Sequence, residues 1–241
     1  MKGRTETITV SGNDRSYTLT FRDGGNEQEH LVKVLNGDNY PLLPQNHFIP
    51  TQIIDIGAHV GASTIFFRHA YPQVPILCFE PCKETREFLE KNTAPLGDIE
   101  IFPFGLAKDE RETKLFHGRL HSMQNSTHSS VEVDGSDFEV IQLKAANELL
   151  SSRIADGSLI KIDTEGCEVE ILESLSPHYE KLSLIYLEYH SESARRKIDQ
   201  MLANTHSLLF SQALQLHRGN VTYIANNAIT VDPSNPSLEI G

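Results

Sequence analysis

The stretch Gln52-Ile53-Ile54-Asp55-Ile56-Gly57-Ala58-His59-Val60-Gly61 constrains the fold of this chain more than any other. Ile53, Ile54 and Ile56 predict a strand covered on both faces, because β-branched side chains suit a buried, pleated surface. Gly57 and Gly61 predict a tight turn out of that strand, since glycine tolerates positive φ and lets a ligand approach the backbone. Ala62, Ile65, Phe66 and His69 then recur at helical spacing up to Pro72. Strand, glycine turn and helix make the first half of a nucleotide-binding βαβ unit, although glycine turns also follow many buried strands that bind nothing.

The next segment narrows the choice. Pro75-Ile76-Leu77-Cys78-Phe79-Glu80-Pro81 predicts a second apolar strand ending in an acid. In a nucleotide-binding unit such an acid accepts hydrogen bonds from ribose hydroxyls. The spacing here is D-x-G-x-x-x-G, without the G-x-G-x-x-G of a dinucleotide fingerprint. The looser glycine spacing suits a ligand with a charged amino-acid tail and no pyrophosphate.

A length of 241 residues suits one α/β domain with additions. A formal net charge of −12 argues against nucleic acid or an anionic membrane as the main partner, since both select clustered Lys and Arg. No apolar run approaches the roughly 20 residues that cross a bilayer. Met1–Glu6 shows no signal-peptide core, and Cys78, Cys82 and Cys167 are too sparse for a disulfide framework, so a reducing cytoplasm is expected.

In chain order, residues 1–50 predict an N-terminal extension: a β-hairpin around Ser11–Asp14, a short helix near Gln28–Leu35 and a proline-bounded connection. It either covers one mouth of the sheet or packs away from it. Residues 51–226 form the main domain and 227–241 a tail. A third strand is expected at Ile99–Phe104, with Gly105 and Leu106 just beyond it. His117–Asp137 reads as a long polar loop carrying His117, His121 and His128, either an acceptor lid or a surface insertion. Leu159–Asp163 and Leu182–His190 predict the fourth and fifth core strands. Ser207–His217 and Val221–Ala225 predict a closing antiparallel pair turning at Arg218-Gly219-Asn220.

Asp55-Ile-Gly-Ala-His-Val-Gly61, Phe79-Glu-Pro81, Lys161-Ile-Asp-Thr-Glu-Gly-Cys-Glu168 and Leu187-Glu-Tyr-His190 together resemble the FkbM family of S-adenosylmethionine (SAM) dependent methyltransferases. The resemblance spans about residues 50 to 225, and the Lys-Ile-Asp-x-Glu-Gly block is its most specific part. It implies an α/β fold: a Rossmann-like class I methyltransferase sheet, mostly parallel with an antiparallel C-terminal strand. It also implies SAM as donor and a hydroxyl on a sugar, polyketide or other small molecule as acceptor. His59 stands where the family often has asparagine.

Ligands of open α/β sheets bind beyond the carboxyl ends of the strands. The expected cofactor residues are therefore Asp55, Gly57, His59, Gly61, Glu80, Pro81, Phe104, Gly105 and Leu106. Asp55 would hold the ammonium group directly or through water, and Phe104 and Leu106 would flank adenine. Glu80 has a second reading as a helix N-terminal charge, and Phe104 as plain core. His190 and Asp163 are the expected bases, with Glu165 and Glu188 positioning base or acceptor, and Tyr189 and His121 touching the acceptor. His190 also reads as a strand-end histidine bonded to backbone, and Glu165 as a first-turn helix carboxylate. Asp163, Glu188 and His190 are suitable ligands for a divalent cation, but two residues on one strand and one on another do not fix a coordination geometry, so no metal is expected. The competing functions are a nicotinamide-dependent oxidoreductase and a SAM-fold protein that binds without catalysis.

Overall fold

The computed structural model describes residues 4–12, 15–23, 27–44, 48–118 and 133–228. Arg4–Gly12 (β1) and Arg15–Asp23 (β2) form the expected hairpin, and Glu27–Asn36 is a helix (α1). Ile53–Ile56 (β3), Ala62–Ala70 (α2), Ile76–Phe79 (β4), Lys83–Thr93 (α3) and Ile99–Phe102 (β5) then alternate. Gly105–Ala107 (β6), Arg111–Gly118 (β7) and Val133–Ala145 (β8) follow. Ala146–Leu150 (α4), Ser158–Ile162 (β9), Glu168–Ser174 (α5), Leu182–Tyr189 (β10) and Glu192–Leu202 (α6) complete the alternation. His206–Gln215 (β11) and Arg218–Ala225 (β12) close it.

The main sheet has the order β11-β12-β10-β9-β3-β4-β5. β5, β4, β3, β9 and β10 are mutually parallel, and β12 runs antiparallel to both of its neighbours. Chain order reverses at β3, which lies between β4 and β9. A crevice at the carboxyl ends of these three strands follows from that reversal. The strands there are covered on both faces: every residue of β3, β4 and β9 is buried. Ile54, Ile56, Phe79, Ile160 and Ile162 pack toward α5 and α6 on one face. Ile53, Ile76, Cys78 and Leu159 pack toward α1 and α2 on the other.

The hairpin docks on α3 through Asn92 and an Arg22–Glu84 ion pair. Asn92 Oδ1 accepts from the Thr20 amide at 2.9 Å, and its Nδ2 donates to the carbonyls of Thr20 and Val60, both at 2.8 Å. Leu19 and Phe21 are fully buried beneath it.

Two expectations shift. The loop over His117–Asp137 is shorter at both ends, because β7 and β8 remain paired as far as Gly118 and Val133. An antiparallel ladder bonds through the backbone and does not require apolar side chains. His121 and His128, and residues 119–132 generally, lie outside the described residues, as do 229–241 of the tail. The last hairpin turns at Leu216-His217 rather than at Arg218–Asn220, with His217 at φ 67°. Arg218 is thereby the first residue of β12 rather than a turn residue. β6, β8 and β7 form a separate three-stranded sheet.

Candidate active site

A cavity of about 140 Å³ opens at the carboxyl ends of β3, β4, β9 and β10. Its apolar wall comes from Leu106, Leu115, Ile141 and Leu143 of the small sheet, and its roof from His30, Leu31 and Val34 of α1 with Tyr40. Gly57, His59, Glu80, Asp163, Glu165, Glu188 and Arg218 supply the polar lining.

At the floor lies an ion pair. The ammonium of Lys161, in mid-strand β9, is 3.2 Å from Asp55 Oδ1, with both side chains almost wholly excluded from water. Lys161 Nζ also donates to the Gly57 carbonyl at 2.6 Å, so it clamps the turn after β3 from below. Ser63 and Thr64 hydroxyls, at the start of α2, each donate to Asp55 Oδ2 at 2.7 Å. Burial pulls the Lys161 ammonium toward neutrality, but Asp55, Tyr40 and Asp163 outweigh it and keep it charged.

The turn itself is tight. Gly57 has φ +78°, and a Cβ on it would lie 1.8 Å from the Asp163 carbonyl oxygen. His59 has φ +51°, a left-handed conformation that Asn and His enter more readily than most residues. That explains why histidine can replace asparagine there. Its amide donates to Glu80 Oε2 at 2.8 Å. Glu80 Oε1 accepts from the Cys82 amide at 2.9 Å and the Thr85 hydroxyl at 3.0 Å. Three donors thus fix the Glu80 carboxylate at the cavity wall, and lone-pair capacity remains on Oε2. Burial pushes its carboxyl above the usual range, against the opposing pull of those donors.

A second charged cluster occupies the opposite end. Arg218 Nε donates to Glu188 Oε1, and its Nη2 donates to Glu165 Oε1 at 2.7 Å. His190 Nε2 lies 3.0 Å from Glu165 and 3.7 Å from Glu188, and Nδ1 lies 3.3 Å from Glu168. These are ion-pair distances without ideal hydrogen-bond angles, so the attraction is mainly that of charge. Burial opposes protonation, but Glu165 and Glu168 overcome it and carry His190 up to about 11. Glu165 sits at φ +55°, a strained conformation that Arg218 and His190 hold in place. Asp163 is held below the usual carboxylate range despite its burial, by Lys161, His190 and Arg218. Glu188 is pushed up to about 8 by burial and by Asp163.

The family model of the methyltransferase FkbM domain matches residues 55–215, about two thirds of the sequence. The chain belongs to the FkbM methyltransferase family. It is similar to methyltransferase sdnD of Sordaria araneosa, 25% identical over 66% of this chain and 73% of that one. It is also similar to the hexuronic acid methyltransferase AglP of Haloferax volcanii, 22% identical over 78% and 77% of the two chains. Among solved structures, a putative methyltransferase, yhhF, from Escherichia coli aligns over 91% of this chain and 98% of its own with a TM-score of 0.54. At 15% identity that likeness establishes the fold alone.

In this methyltransferase several expected site residues stand at the cavity: Gly57, His59, Glu80, Pro81, Gly105, Leu106, Asp163, Glu165 and Glu188. Others do not. Asp55 is absent from the lining and enclosed by Lys161, Ser63 and Thr64, where it holds the turn. Gly61 is the left-handed entry to α2 and faces Leu89, not the cavity. Phe104 is not among the lining side chains, and its ring packs 5.6 Å from Phe102 and 6.1 Å from Phe79. Tyr189 points the other way from the acceptor end, into the core against Gly219. His190 lies behind the lining, and Glu165, Glu168 and Glu188 around its ring favour its charged form over that of a general base.

The sequence reading missed Lys161, Glu168, Arg218 and His30. Lys161 left a signal, since a charge inside an apolar strand must be paired. Arg218 left none, because its apparent place in a turn hid it. Asp163, Glu165 and His190 bring ligand atoms within 4.8 Å of one another, as a divalent-cation site requires. Arg218 and the His190 imidazolium already supply positive charge to those carboxylates. Among the described residues, no helix is long and apolar enough to cross a membrane.

Proposed function

We propose that this methyltransferase uses SAM and methylates a hydroxyl oxygen of a small, polar acceptor. The observation that carries this reading is Glu80: a carboxylate pinned by three donors at the switch point of the sheet, with acceptor capacity left facing the cavity. Glu80 suits a ribose diol. Leu106 and Leu143, with Gly105 between them and Pro81, suit a flat ring. SAM supplies a methyl group already activated on a sulfonium. The ionised Asp163 carboxylate favours cationic charge at its end of the cavity. Glu165, Glu188 and Arg218 offer acceptors and donors that orient hydroxyl groups, which brings an acceptor oxygen into line and excludes water.

The similarity to AglP, a hexuronic acid methyltransferase, supports a sugar-like acceptor. The carboxylate-rich rim and the net charge of −12 disfavour nucleic acid. With Arg218 and His190 neutralising the rim, the reading needs no metal, and a reducing, cytoplasmic setting suits the three buried thiols. Titration calorimetry with SAM and with NAD tests the cofactor; binding of NAD alone would overturn the reading. Mass spectrometry of a metabolite extract incubated with the protein and methyl-labelled SAM tests the chemistry. Label on oxygen is expected, and label on nitrogen or carbon would redirect the acceptor class.

A further inference from the structure

Alcohol methylation leaves a proton to be placed, and the groups at the polar end differ in their fitness to take it. Asp163 is held too acidic, and Tyr40 stays a neutral phenol because burial lifts it far above its ordinary range. Glu188 has one oxygen engaged by Arg218. His190 is already an imidazolium.

His30 differs from all of these. It is carried by α1, in the N-terminal segment, and lines the cavity roof directly. Among the described residues its ring makes no hydrogen bond or ion pair. The charges that act on it most strongly are those of Asp163, Arg218 and Lys161 across the cavity and Lys33 on its own helix. His30 shares the cavity lining with Asp163 and Arg218. Burial and the three cations keep its imidazole neutral, and Asp163 opposes them. The apolar neighbours Leu31 and Val34 are buried and fix the helix that carries it.

We propose that His30 is the proton acceptor for methyl transfer, acting from the roof of the cavity. The proposal rests on the SAM-dependent O-methylation reading. As the acceptor oxygen bonds to the methyl carbon, the carbon–sulfur bond breaks and its electron pair returns to sulfur. The hydroxyl proton passes to a ring nitrogen of His30, which then releases it to solvent. Asp163, opposite, stabilises the imidazolium so formed.

Two measurements test this. With a metabolite extract and methyl-labelled SAM, His30→Gln should form labelled product on the order of 10²–10⁴-fold more slowly. Its S-adenosylhomocysteine affinity should stay within about twofold of wild type, and imidazole should partly restore His30→Ala. Near-wild-type turnover in His30→Gln, or a loss that falls on Glu188→Gln alone, would overturn the assignment. Nitrogen-15 NMR of the histidines in the S-adenosylhomocysteine complex decides the proton state without any acceptor. The resonance missing from His30→Gln should be neutral at pH 7 while that missing from His190→Gln is cationic. A His30 resonance still cationic at pH 7.5 would also overturn the proposal. A wild-type protein that transfers no label would count against the methylation reading, and the NMR result would still decide His30.

Discussion

Asp55–Lys161 and Glu188–Arg218 are both acid–base pairs beside the same cavity, yet their surroundings differ. Side-chain exposure in the first pair is 0% and 3%, and only Lys161 borders the cavity. In the second pair Arg218 is 37% exposed, and its carboxylate partners line the cavity. The first pair ties β3 to β9 and fixes the turn. The second keeps charged groups available to a ligand. A shared site thus separates its scaffolding charges from its chemical ones by depth.

The largest expected effect strikes the buried pair. Lys161→Met leaves Asp55 charged and uncompensated, which should cost about 3–5 kcal/mol in urea unfolding. Arg218→Met should cost clearly less, because Glu165 is partly open to water and His190 still faces both carboxylates. Equal losses would erase the distinction. Adding Asp55→Asn to Lys161→Met should recover part of the loss, since both charges are then gone.

Glu80 belongs to the ligand side of the comparison although it is buried. Glu80→Gln should weaken S-adenosylhomocysteine binding by about 1.5–3 kcal/mol in calorimetry, the scale of hydrogen bonds to a charged group. A change of only a few tenths would assign Glu80 to closing the first turn of α3 instead.

His190 sharpens the exposed side through pH. Its folded-state pKa, near 11, lies above the ordinary histidine value of about 6.5. Its stabilisation is therefore whole below about pH 6.5 and disappears as pH rises through 11. The stability gap between wild type and His190→Gln should be about 1.5 kcal/mol at pH 6 and shrink toward pH 10. A gap that stays constant over that range would mean His190 is not held as a cation.

The smallest effect is expected farther out. Arg111 on β7 pairs with Glu170 on α5 at 2.6 Å, both partly exposed, and joins the small sheet to the main domain. Arg111→Ala should cost about 0.2–1 kcal/mol and vary with salt. A loss near that of Lys161→Met would show that depth does not rank these pairs.

The sequence alone determined the βαβ start, the alternating strands and helices, the closing antiparallel strand and the family. These follow from local signals: apolar periodicity, β-branched runs and glycine spacing. It also determined which strand ends carry carboxylates, because an acid ending an apolar run is visible in one dimension. Tertiary structure alone decided the direction each side chain faces and its charge. Asp55 and Glu80 look alike in sequence, yet Lys161 beneath β3 seals one and leaves the other at the cavity. His190 looks like a base until Glu165, Glu168 and Glu188, from two different segments, close around it. Arg218 and His30 reach the site from opposite ends of the chain. Protonation depends on the summed field of such distant groups and on burial, and neither is a property of neighbours in sequence.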